Sequence, residues 1–320
     1  EQTRFEKRLT HLLTTYPMLD YVWLWQPECW CGHTIQEMHY HGTGFPLQPG
    51  RSSFSAASRA FEGAFDYLAD PKQINEGVRM TLYGRYAHTL LQNISPGTKL
   101  VLSGWGGDKW LHFTDLLEGL DKTLPKDIVF SALDNLNPLA DVSISDHYGK
   151  VAGRDVWVIP WFENDGDQWC PQPYTAQYTH LLTDALQKNC RGVLGIHWRT
   201  RGIEEIASYT ARFAWDPTLS FDGFYRQYAC GLYGAEYGPD MARIHIRLHN
   251  LGYRWAGEPG QCECGHFRWV QTKTPQNLPK LTALGNEVKA LMERARQEQR
   301  HSAFDNLSYL YWNIQWAVSY

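Results

Sequence analysis

The chain has 320 residues, enough to bury a sizeable core as one α/β barrel or as two smaller domains. A net charge of −4 without a run of Lys or Arg argues against nucleic acid as the main partner, and no stretch approaches the roughly 18 apolar residues of a membrane span. The unusual feature is the aromatic content, with 14 Trp and 18 Tyr, which predicts an aromatic-rich core or a ligand platform.

Five short apolar runs predict β-strands, and helical patterns separate most of them. The strands are predicted near residues 21–25, 99–103, 128–131, 156–161 and 192–197. Beyond Arg201 the apolar spacing becomes helical, and Ser220 can cap one of these later helices. We therefore predict a catalytic region over residues 1–202 and a helical C-terminal region over residues 203–320, packed on the first.

The predicted strands and helices are typical of a (β/α)8 TIM-type barrel. Such a barrel closes with eight strands, whereas the apolar runs account for five. The expected fold is therefore a barrel of which this chain holds strands four to eight. The first strands would come from a segment before Glu1 or from another chain.

Carboxylates follow three of the predicted strands. Glu28 follows the first strand, Asp134 the third, and Glu163 the fourth, within the stretch DVWVIPWFENDGDQW of residues 155–169. The ends of barrel strands carry the chemistry, and cleavage of a glycosidic bond needs two carboxylates facing each other across the sugar. We expect Glu28 and Glu163 to form this pair, with Asp165 as an alternative second member.

Other side chains near the strand ends are candidates for binding a substrate. Indole rings stand at or beside four strand ends, where they could stack on sugar rings or pack the mouth of the barrel; they are Trp25, Trp105, Trp161 and Trp198. His147 and Tyr148 could bond sugar hydroxyls or close their own loop. Arg199 could clamp the carboxylate of an acidic sugar or pair with Glu163.

The placement of the two glutamates resembles that in barrel glycoside hydrolases with an acid/base glutamate after strand four and a second carboxylate after strand seven. The segments YPMLDYVWLWQPE (16–28) and RGIEEIASYTARFAWDPTLSFDGFYRQYACGLYG (201–234) are similar to the α-glucuronidase-type families, in which a Trp-Asp-Pro turn joins two helices after the barrel. The resemblance implies that Glu28 is the general acid and that Glu163, with Asp134 as a further candidate, activates the nucleophile.

The predicted function is therefore a glycoside hydrolase that needs no cofactor or metal and acts on a carbohydrate, with an acidic or N-acetylated sugar as one candidate substrate. The start of the chain has no signal-like apolar segment, so localisation is not readable from it. Degradation of a polysaccharide would favour the periplasm or secretion.

Two alternatives remain open at this point. One is a carbohydrate-binding barrel that keeps the Trp platforms without hydrolysis. The other is a metallo-hydrolase built on two Cys-X-Cys-Gly-His clusters, at residues 29–33 and 262–266. Four thiols and two imidazoles could hold zinc, yet the spacing is not that of the usual zinc finger, and a disulfide or coincidence are competing interpretations.

Overall fold

A computed structural model describes residues 2–26, 60–104, 113–133, 144–160, 162, 175–197, 202–251 and 275–319. These residues belong to two compact units. Unit 1 holds a parallel sheet and its helices, and unit 2 holds the later helices. The predicted division at residue 202 stays a prediction.

Unit 1 is built from alternating helices and strands. Its elements in chain order are α1 (Gln2–Thr15), β1 (Tyr21–Gln26), α2 (Pro71–Ile94), β2 (Lys99–Gly104), α3 (Phe113–Thr123), β3 (Val129–Leu133), β4 (Val156–Ile159) and β5 (Gly192–Val193). Two 3₁₀ turns, Glu62–Phe65 and Asp146–Lys150, precede α2 and β4. All five strands lie where the apolar runs predicted them, although β4 and β5 are shorter than expected.

The strands form one parallel sheet in the order β1-β2-β3-β4-β5. The strands are apolar on both faces of the sheet, and both faces are buried at the centre. Helices cover one face, and side chains from neighbouring strands cover the centre of the opposite face. On the helix-covered face, Gly84 of α2 allows close packing, since a Cβ there would lie only 3.3 Å from Leu102 Cδ2. This face forms the core of unit 1, with Leu100, Leu102, Phe130, Ala132, Val156 and Val158 buried.

The predicted (β/α)8 barrel is wrong. The described part of the chain forms one sheet of five parallel strands and nine α-helices, which is a mixed α/β fold. A barrel closes only when eight strands pair in a ring. Here the order runs from β1 at one end to β5 at the other, and β5 pairs with β4 over two residues. The five strands are therefore not strands four to eight of such a barrel.

The described residues of unit 2 are mainly helical. It contains most of α4 (Thr175–Gln187), then α5 (Glu204–Trp215), α6 (Phe221–Tyr233), α7 (Gly238–Asn250), α8 (Leu278–Gln297) and α9 (His301–Ser319). Ser220 caps α6, its hydroxyl accepting from Gly223 N at 3.1 Å, which confirms the predicted cap. Gly234, at φ 85°, ends the same helix.

Among the residues that the structure describes, none of the helices has the length and apolar character needed to cross a membrane.

Candidate functional site

One row of side chains crosses the sheet on the face opposite α2 and α3. Residues paired in a parallel register point to the same face. Strand pairing places five residues in this inner row: Trp25, Ser103, Ser131, Trp157 and Gly192. Two half-buried indoles thus flank two fully buried serines. The Ser103 hydroxyl donates to the Ser131 carbonyl, while the Ser131 hydroxyl has no hydrogen-bond partner in the described part of the chain.

The sheet curves towards the face that carries the inner row. Tyr21 of β1 and Trp157 of β4 meet edge to face, with ring centroids 5.0 Å apart, although β2 and β3 separate their strands. Strands in a flat sheet are about 4.8 Å apart, so the backbones of β1 and β4 would be separated by roughly 14 Å. The contact therefore requires a concave face. It also helps to bury Val101 and Val129, which lie on this face between them.

Gly192 provides the space that Trp157 occupies. A Cβ at Gly192 would lie 2.5 Å from Cδ1 of the indole, closer than van der Waals contact allows. We expect Gly192→Ala to displace the Trp157 ring and to lower the free energy of unfolding by about 1–3 kcal/mol, the usual cost of overpacking. Urea unfolding followed by tryptophan fluorescence measures both effects. Gly97→Ala is the matched control, because a Cβ at that exposed site would touch nothing within 4 Å.

Three of the predicted substrate-binding residues lie in the described structure. Trp25 belongs to the inner row. His147 lies in the 3₁₀ turn, 25% exposed, with Nε2 4.0 Å from Asp115 Oδ1 and its ring 5.9 Å from that of Tyr67. Tyr148 is fully buried beside it, and its hydroxyl donates to the Ala132 carbonyl at 2.7 Å. That bond uses the hydroxyl within the core, and contact of Tyr148 with a sugar stays a prediction.

The other predicted site residues lie outside the described residues. They are Glu28, Trp105, Asp134, Trp161, Glu163, Asp165, Trp198 and Arg199. The three strands that precede Glu28, Asp134 and Glu163 are nevertheless part of the described structure. β1 ends two residues before Glu28, β3 ends at the residue before Asp134, and β4 ends four residues before Glu163. Because the strands are parallel, their carboxyl-terminal ends lie at the same end of the sheet, and all three carboxylates follow strands at that end.

Unit 2 contains a buried polar network that the sequence analysis missed. Glu205 of α5 lies between two histidines of α7, with Oε1 3.0 Å from His249 Nε2 and Oε2 3.3 Å from His245 Nδ1. From α6, the Tyr225 hydroxyl donates to Glu205 and also contacts His249, while the Tyr233 hydroxyl lies 3.2 Å from His245 Nε2. The network therefore connects three helices through one carboxylate.

The charge state of Glu205 follows from these contacts. Burial alone would raise its pKa, but the hydrogen bonds from His245 and His249, together with attraction to their rings, outweigh burial and hold the pKa of Glu205 well below its usual range. Glu205 is therefore an ionised carboxylate in the interior of unit 2. The Glu205 side chain is only 14% exposed, and its contacts hold α5, α6 and α7 together.

Some of these residues had a signal in the sequence. His245 and His249 stand four residues apart, which places them on one face of a helix. Ser103 and Ser131 are polar residues within the buried parts of strands β2 and β3. Trp157 and Gly192 had no such signal, because their relation appears only when β4 and β5 are paired.

A metal centre was one of the predicted alternatives. Within the described ranges, no group of three or more His, Cys, Asp or Glu side chains is arranged to hold a metal ion. Both Cys-X-Cys-Gly-His clusters lie outside these ranges, so the metallo-hydrolase alternative stays untested.

Comparisons with known proteins leave the family open. No protein-family model matches the chain, and no curated protein shows significant sequence similarity to it. The resemblance to the α-glucuronidase-type families therefore stays a prediction.

Proposed function

We propose that this protein is a glycoside hydrolase in which Glu28 is the general acid and Glu163 the nucleophile or base. The observation that carries the proposal is the contact between Tyr21 and Trp157. It indicates that β1 and β4, the strands that precede the two glutamates, approach each other across a concave face. Carboxylates that follow these two strands at the carboxyl-terminal end of the sheet are suited to act from two sides of one sugar.

The inner row supports a carbohydrate as the ligand. Indole faces stack on the apolar faces of sugar rings, and Trp25 and Trp157 are both half-buried, so each keeps some exposed surface. Asp134 directly follows β3, between the strands of the proposed pair, and is the further candidate for orienting water. Arg199 favours a sugar that bears a carboxylate, because a guanidinium binds that group in a bidentate manner.

The proposal is tested by replacing each glutamate with glutamine. Purified protein is assayed on aryl glycosides and aryl uronides, and Glu28→Gln and Glu163→Gln are each expected to lower kcat by about 10²–10⁴-fold, since general acid–base groups contribute this much. Glu293→Gln, at a partly exposed glutamate of α8, is the control and should keep wild-type activity. Circular dichroism checks that the variants are folded.

Full activity in either glutamine variant contradicts the assignment. Binding of oligosaccharides without release of any product, and binding that survives both substitutions, would instead favour the non-catalytic carbohydrate-binding alternative. Faster turnover of uronides than of neutral glycosides is the result expected if Arg199 binds the substrate.

A further inference from the structure

Phe162 is the residue directly before the proposed nucleophile or base, Glu163, and it is bonded to a distant segment of the chain. It stands three residues after the end of β4. Its backbone N–H donates to the Ile196 carbonyl at 2.9 Å, and both residues belong to unit 2. This bond fixes the backbone of the chain at the position before Glu163.

The ring of Phe162 is also held in place. It lies stacked on the His197 ring, with the two centroids 6.4 Å apart and the two planes 11° from parallel. Its centroid is 6.0 Å from that of the Tyr178 ring in α4. Tyr178 is fully buried, so one of the neighbours of the Phe162 ring belongs to the densely packed interior of unit 2.

Gly195 provides the space that the Phe162 ring occupies. A Cβ at Gly195 would lie 2.0 Å from Cζ of Phe162, much closer than van der Waals contact allows, and 2.3 Å and 2.5 Å from its two Cε atoms. Gly195 does not have a positive φ, so the backbone conformation does not require glycine at this position. The close approach of the ring is therefore the reason why a side chain is not tolerated there.

We propose that Phe162 is a positioning residue for Glu163 and that Gly195 keeps the space that this role needs. The inference rests on the proposed function, in which Glu163 is the nucleophile or base. Consecutive Cα atoms are about 3.8 Å apart, so a shift of the Phe162 backbone passes directly to the next residue. Catalytic groups have to be held within about 0.5 Å of their productive geometry, and packed neighbours provide this precision.

Phe162→Leu tests the proposal, because leucine keeps an apolar side chain but loses the flat contacts with His197 and Tyr178. The purified variant is assayed on the same aryl glycosides and uronides as the wild type. We expect kcat to fall by about 10–100-fold, the scale of a misplacement of about 1 Å. KM should stay unchanged, because the alignment of the carboxylate matters in the transition state and not in substrate binding.

Gly195→Ala perturbs the same ring through a different residue. The added methyl group should displace the ring, and kcat should fall as in Phe162→Leu. The ring carbons nearest to that methyl group are Cζ and the two Cε atoms, which leucine lacks. The double variant should therefore lose no more activity than Phe162→Leu alone. Losses that multiply in the double variant would mean that the two residues act independently, and would overturn the proposal.

Phe213→Leu is the matched control for loss of packing. Phe213 is buried in α5 of unit 2, with its ring 5.9 Å from that of Tyr209. Its replacement should lower the stability of unit 2 and leave kcat unchanged. An equal fall in kcat in this variant would show that loss of packing alone explains the effect, which overturns the positioning role. Circular dichroism checks that each variant is folded. If Gly195→Ala does not fold, Phe162→Leu alone decides the outcome.

Glu163→Gln, assayed in parallel, distinguishes this inference from the proposed function. If Glu163→Gln is inactive while folded Phe162→Leu and Gly195→Ala keep the wild-type kcat, the positioning role is overturned and the proposed function stands. If Glu163→Gln keeps full activity, the proposed function and the positioning role are both overturned.

Discussion

Replacing Glu205 with alanine is expected to lower the free energy of unfolding by about 3–5 kcal/mol, as is typical when one partner is removed from a buried charged network. Glu205 accepts hydrogen bonds from α6 and α7 while belonging to α5. Without it, His245 Nδ1 would lose its acceptor, and His249 Nε2 would lose the carboxylate while keeping its contact with the Tyr225 hydroxyl. The loss should therefore exceed that of an ordinary surface substitution.

Urea unfolding of the variant, followed by circular dichroism, measures this effect. Glu293→Ala is the matched control, because Glu293 forms a partly exposed pair with Arg296 at 3.3 Å, and its loss should change the free energy of unfolding by less than about 1 kcal/mol. Similar losses in the two variants would show that the network contributes little.

The difference between the wild type and Glu205→Ala should also depend on pH. The pKa of Glu205 is lower in the folded protein than in the unfolded chain, so the ionised carboxylate stabilises the fold above the unfolded pKa of about 4.3. That contribution is lost as the pH falls below this value towards the folded pKa. The two unfolding curves should thus converge in acid, and a constant difference would argue for packing alone.

Arg154→Met is expected to destabilise unit 1 by about 3–5 kcal/mol, since it removes a buried guanidinium that donates to carbonyl oxygens as well as to Asp121, and a buried acceptor left without its donor costs about 1–3 kcal/mol. Arg154 Nε donates to Asp121 Oδ1 at 2.7 Å, and the guanidinium lies 4.0 Å from the centroid of the Phe130 ring. Its remaining donors bond carbonyl oxygens after α3 and at its end, those of Asp121, Leu124, Pro125 and Ile128. Methionine fills similar space but satisfies none of these acceptors.

The same urea experiment tests this substitution, with Arg191→Met as its control. Arg191 is an exposed arginine of unit 1, and its loss should have little effect. Asp121 keeps Lys126 as a partner at 2.7 Å, so the loss should come mainly from the unsatisfied carbonyls. A change below about 1 kcal/mol would contradict the assigned role, because it would mean that water replaces the guanidinium without cost.

Local patterns predicted the elements but not their closure into a fold. A run such as Val156–Ile159 is apolar on both sides and has to be buried wherever it lies, so its strand character can be read from the sequence. Whether a sheet closes depends on how many strands pair in a ring, and that information is not contained in any single run. The barrel prediction went wrong at this step.

In the candidate site too, local sequence patterns predicted some features, and others depend on strand pairing. The sequence indicates that Glu28 and Glu163 follow strands, because each comes shortly after an apolar run. It does not indicate that Trp25 and Trp157 lie in one row, since that depends on the register of three successive strand pairs. A shift of one residue in any pair would turn these indoles to different faces.

The sequence by itself determined the positions of the five strands, the helical character of residues 204–250 and 278–319 and the absence of a long apolar span, because these follow from short-range spacing of apolar side chains. Only the tertiary structure decided the strand order, the concave face formed where Tyr21 meets Trp157, and the network around Glu205. These features depend on sheet curvature and on how three helices pack, which arise between segments far apart in the chain.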